Sequence, residues 1–180
     1  MAARTSMQYI VDQVRLMISD PAGVSSRYTD DQIQDALDDN RLDVEDEPLE
    51  SRMDNTQFLA TEGWWEANAV LSDESGTVSP TSSNWRRGAW SFLVAHSSPL
   101  TITGSVYDVY GAAADMLDLW VSSMAMEVEQ FTADGLTVKR GGRSNLQTLA
   151  SQYRMRSKGY SNAGGLSVAS WVRTDVNPWS

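Results

Sequence analysis

One stretch, Ser105 to Phe131, constrains this chain more than any other. Its apolar residues fall at Val106, Val109, Tyr110, Ala113, Leu117, Trp120, Val121, Met124, Val128 and Phe131. Steps of three and four put them on one face of a helix, where a strand would alternate strictly. Asp108, Asp115, Asp118, Ser122 and Glu127 fall largely on the opposite face. Ser105 is expected as the N-cap, with Asp108 three positions on in a capping-box-like start. At about 1.5 Å per residue such a helix spans about 40 Å, the width of a small domain. The expected fold is therefore α+β, mainly α: a bundle of about four helices around one long central helix. An inserted antiparallel β region and an extended C-terminal tail complete it.

The other elements are placed around that spine. Met7, Ile10, Val11, Val14, Met17 and Ile18 make the apolar face of a helix at about 6–19, stopped by Asp20-Pro21-Ala22-Gly23. Thr29-Asp30-Asp31-Gln32 is a capping box opening a helix at about 29–40. Leu42 and Val44 alternate with Asp43 and Glu45, which suits a strand ended by Pro48. From there to residue 103 short strand-like runs surround the polar segment Asp73–Asn84, so 41–103 reads as a β insertion. Its aromatics, Trp64, Trp65, Trp85, Trp90 and Phe92, are expected to cover one face of the sheet. Asp134-Gly135 signals a turn. Ser144 is expected to cap a last helix over about 144–158, with Leu146, Leu149, Ala150 and Tyr153 as its stripe. Residues 1–158 form one domain in this reading. Residues 159–180 form an extended arm that is rich in Ser and Gly yet carries Trp171, Val172 and Trp179.

Several chemistries find no support. The chain has no Cys, which removes disulfides, thiolate metal sites and a Cys nucleophile. It has no apolar run long enough for a membrane span, and the first residues hold no secretory-signal block. His96 is the one histidine, too few for a His metal cluster, and no nearby nucleophile motif supports a triad. The carboxylates from Asp35 to Glu47 are dense but lack the EF-hand loop pattern. Asp108 and Asp115 lie two helical turns apart and read as solvated residues, not a glycosidase pair. No phosphate-binding glycine motif is present, and no cofactor is expected.

Charge divides the chain. Residues 1–134 hold 7 Lys and Arg against 23 Asp and Glu, a net of −16; residues 135–180 hold 7 against 1, a net of +6. An acidic body joined to a basic C-terminal part can attract copies of itself head to tail.

The order of features completes the reading. A first helix is followed by YTDDQIQDALDDNRLDV and a tryptophan-rich insertion. Then come VYDVYGAAADMLDLW, the turn FTADGLTVKR and the helix LQTLASQYRMRSKGY. From about Thr5 to Tyr160 this order resembles the head–tail adaptor (head-completion or connector) proteins of long-tailed bacteriophages. The resemblance implies a non-enzymatic structural protein of the virion neck, assembled in the host cytoplasm. Such proteins form a ring, commonly of twelve subunits, between the portal and the next neck or tail protein. The ring extends the DNA channel without gripping DNA, and no membrane is involved. Lys139, Arg140 and Arg143 are expected at contacts between subunits. Trp171, Val172 and Trp179, with Arg154, Arg156 and Lys158 beside them, are expected to dock on the portal. The alternative class is a carbohydrate- or receptor-binding module using the tryptophan-rich insertion. A third is a metal-dependent hydrolase using the acidic cluster.

Overall fold

The computed structural model describes residues 4–96, 99–124, 130–133, 136–139 and 142–157. A 3-10 turn, Thr5–Met7, leads into α1, Gln8–Ile18. Met7, Ile10, Val11, Val14 and Ile18 are buried, as their spacing requires. Ser19 ends α1 in the left-handed conformation, φ 56°, and the Asp20 amide returns to the Arg15 carbonyl at 3.0 Å. α2, Asp30–Asp39, opens on the expected capping box. The Thr29 hydroxyl accepts from the Gln32 amide at 3.2 Å, and the Gln32 side chain accepts from the Thr29 amide at 2.9 Å.

The strands follow as β1 (Arg41–Pro48), β2 (Glu50–Arg52), β3 (Gln57–Leu59), β4 (Val70–Asp73), β5 (Gly76–Val78), β6 (Ser82–Asn84), β7 (Ala89–Ser91) and β8 (Thr101–Tyr107). They form two four-stranded antiparallel sheets, ordered β1-β8-β4-β5 and β2-β3-β7-β6. α3, Val109–Met124, comes next, then the hairpin β9 (Gln130–Ala133) with β10 (Leu136–Lys139), then α4, Gly142–Arg156. The Asp134-Gly135 turn between β9 and β10 lies outside the described residues. Among the described residues no helix is long and apolar enough to cross a membrane.

Two hydrophobic cores result. One joins α1, α2 and α3 through Ile10, Val14, Ile33, Leu37, Ala113 and Leu117, with Ala150 of α4. The other lies among the strands and holds Phe58, Trp65, Leu71, Trp90, Leu100 and Ile102. Polar bonds tie the layers: the Tyr9 hydroxyl donates to the Trp65 carbonyl, and the Ala67 amide to the Ser6 carbonyl at 3.2 Å.

This corrects the expected architecture. The chain is α+β, with two four-stranded sheets and a two-stranded one beside four α-helices among the described residues, and not a helical bundle around one long central helix. α3 has 16 residues. Ser105, Val106 and Tyr107 are the end of β8, held by the ladder in which Arg41 faces Tyr107 and Leu42 faces Val106. The run Thr101-Ile102-Thr103-Gly104 favours extended backbone, because β-branched side chains lose rotamers in a helix and glycine weakens one. Asp108, not Ser105, caps α3: its carboxylate accepts from the Tyr110 amide at 3.1 Å and the Gly111 amide at 3.0 Å. Phe131 belongs to β9, so the helix also ends short of its expected limit. Trp64-Trp65, within the region read as short strands, is a kinked segment with Trp64 at φ 64° and a single bridge from Trp65 to Val106.

Candidate functional site

The insertion's aromatics are core. Trp65, Trp90 and Phe92 are buried, and Trp85 and Trp65 meet Trp90 edge to face with ring centroids 5.6 and 6.2 Å apart. Trp64 is half-buried, stacked on Tyr9 and covered by the Arg86 guanidinium at 4.8 Å. These rings form no open platform for a sugar.

The carboxylates from Asp35 to Glu47 are divided between α2 and β1. Asp38 bonds Arg4 at 2.5 Å, and Asp43 pairs with Arg41 at 3.1 Å and accepts from the Ser105 hydroxyl at 2.8 Å. Glu47 accepts from the Thr61 amide at 2.9 Å. Among the described residues no three His, Asp or Glu side chains converge as metal ligands. Asp108 is engaged as a cap and also accepts from the Ser157 hydroxyl at 2.7 Å. His96 lies 3.8 Å from Asp73 and packs on Phe92, ring centroids 4.4 Å apart.

Among the described residues, two surface clefts are lined by several carboxylates. The first, of about 490 Å³, lies between α2, α3 and α4. Asp35 and Asp39 line one side and Asp115 and Asp118 the other, over Ala36, Met116 and the exposed Leu119. Arg154 reaches in from α4 to the α3 side, with Nη2 2.9 Å from Asp115 and 2.5 Å from Asp118. The hydrogen bond to Asp118, followed by the charge of Asp115, raises the Arg154 pKa above its ordinary value despite partial burial. The second cleft, of about 720 Å³, runs along β1 beside Thr61 and Glu62.

Of the residues expected to meet partners, Arg154 is committed within the chain. Arg156 sits 6.0 Å over the Tyr110 ring. Lys139 ends β10 and Arg143 lies in the first turn of α4. Arg140, Lys158, Trp171, Val172 and Trp179 lie outside the described residues. α4 brings Arg154 and Arg156 to one helix end; no described contact joins them to Lys139.

Two buried polar networks went unforeseen. Glu66, 3% exposed, accepts from the Ser6 hydroxyl at 2.6 Å, the Tyr107 hydroxyl at 2.7 Å and the Asn68 side-chain Nδ2 at 3.2 Å, with Arg4 at 3.6 Å. Arg15, 5% exposed, bonds Asp30 at 2.5 Å, Asp20 at 3.4 Å and the Tyr28 carbonyl at 2.9 Å. The Arg15 network had a signal: the residue stands on the apolar stripe of α1, four after Val11 and three before Ile18, where a charge must find partners. Both networks are internally satisfied and act as fasteners between elements. Comparison with protein-family models, with curated proteins and with solved structures finds no match to this chain.

Proposed function

We propose that this protein is a structural connector subunit of a bacteriophage neck. In this reading copies form a ring, twelve by the adaptor resemblance, between the portal and the next neck or tail protein. The ring lengthens the DNA channel and catalyses no reaction. It acts in the virion neck after assembly in the host cytoplasm.

The observation that supports this reading is the segregation of charge along the sequence, a net of −16 over residues 1–134 and +6 over 135–180. Carboxylates line the cleft between α2, α3 and α4 and the cleft along β1, whereas residues 135–180, after β9, hold 7 Lys and Arg against 1 acidic residue. Heterologous contacts between unlike surfaces generate rings when their rotation closes. The portal-docking role falls to Trp171, Val172 and Trp179, because tryptophans that fill a partner's pocket dominate interface energy, at about 2 kcal/mol or more each. Arg156 and Lys158 accompany them; Arg154 contributes indirectly, by fixing α4 to α3.

Electron microscopy of the purified protein mixed with portal tests the reading. Rings stacked coaxially on the portal are expected. Deleting residues 161–180 should leave the subunit's melting temperature unchanged and abolish attachment to portal-bearing heads. A full-length protein that binds neither portal nor such heads would overturn the function. A truncated protein that still completes heads would remove the docking role from the tail.

A further inference from the structure

We infer that the outer edge of β1 receives β10 of a second copy as an added strand. This rests on the ring-forming reading above and names the contact that would build it. β1 is the longest strand in the described residues and stands at the edge of its sheet, paired on one side to β8. An edge strand presents a row of outward N–H and C=O groups that another strand can satisfy. Here that edge borders the 720 Å³ cleft, which is lined by Asp43, Glu45, Asp46, Glu47 and Glu62 around Leu42, itself 50% exposed. The ladder to β8 is irregular between Val44 and Glu47, with Asp46 at φ 50°. The bulge and the carboxylates prevent two β1 edges from pairing with each other, since like charges would oppose. They leave the edge open to a strand of the opposite sign.

The chain itself encodes that strand. β9 and β10 form a sheet of two strands, so β10 is also an edge. It reads Leu136-Thr137-Val138-Lys139 and runs on into Arg140, with no acidic residue from Leu136 to Arg143. Among the described residues, the carboxylates of β1 have one cationic partner, Arg41 on Asp43. The apolar alternation of β10 matches that of Leu42 and Val44, so main-chain bonds supply affinity while charge selects the partner and its register.

Sedimentation velocity on the full chain, loaded up to about 1 mM, provides the test. The parent should self-associate. Asp43→Lys with Glu45→Lys should weaken association by about tenfold or more, and so should Lys139→Glu with Arg140→Glu. Combining all four substitutions restores the parent's net charge of −10 and should restore association to within about threefold. Amide exchange at 42–46 and 136–139 should slow in the assembled form. A protein that stays monomeric at the highest loading, reversed variants that assemble like the parent, or a four-fold variant that is not rescued would each overturn the contact. The connector reading is judged separately. Portal-bearing heads completed by a chain that fails this test would discard the β1–β10 contact alone. A chain that passes it but never joins heads would discard the function and keep the contact.

Discussion

Glu66 illustrates what a single buried charge does here. Three donors and the Arg4 guanidinium converge on it from the N-terminal segment, the neighbouring loop and the end of β8. Glu66→Ala strands the Tyr107 and Ser6 hydroxyls and should cost about 2–3 kcal/mol in urea unfolding. A loss under about 0.5 kcal/mol would show that the network is dispensable. The same site gives a pH response. Burial, then the hydrogen bond and charge of Glu66, raise the Tyr107 pKa; burial, then the charge of Glu66, raise that of Tyr9. The folded state thus favours the neutral phenols. Their contribution is complete below the unfolded value of about 10 and is lost as pH rises above it toward the folded values. Unfolding free energy should fall steeply above about pH 10, and less steeply in Tyr107→Phe. An unchanged slope in that variant would contradict the assignment. Local sequence holds no sign of this network, because Ser6 and Tyr107 lie 60 and 41 residues from Glu66.

Elements were legible where their signals are local. The capping box of α2 and the stripe of α1 follow from residues within one or two turns, and both stand as expected. The start of α3 is decided at a distance. Val106 and Val109 fit a helical step, yet Val106 is claimed by Leu42 across the β1–β8 ladder, 64 positions away. Substitutions separate the two readings. Asp108→Ala should cost about 1 kcal/mol, the usual worth of a cap, and release Ser157. Ser105→Ala should cost less than about 0.5 kcal/mol, because its hydroxyl serves an exposed contact with Asp43. Thermal unfolding of the pair checks this, and the reverse ranking would restore the longer helix. The acidic run at Asp43–Glu47 was legible as charge. Its place on an open sheet edge was not, since a strand's neighbours are not written in the strand.

Over the whole molecule, the acidic surface opposes nucleic acid. Phosphate neutralisation requires clustered Lys and Arg, and the chain carries −10 overall. Duplex DNA should bind more weakly than about 1 µM at physiological salt, and fluorescence anisotropy showing tighter binding would contradict a channel that merely passes DNA. One seam between the helices and the sheets lies where the chain enters and leaves the strands. β1 leaves α2 and β8 returns to α3 side by side, with Arg41 opposite Tyr107 and the Asp108 amide on the Asn40 carbonyl at 3.0 Å. The segment between those residues therefore enters and leaves by a two-stranded stalk whose ends are already joined, and Trp65, Glu66 and Ala67 fasten it to Tyr9 and Ser6 as well. For an evolving lineage this is a socket: the outer turns of the insertion can lengthen, shrink or be exchanged while α2 and α3 keep their relation. For an engineer it is a mounting point. A reporter domain spliced into the exposed β4–β5 turn at Glu74-Ser75 would ride outside the helical core and leave its packing untouched.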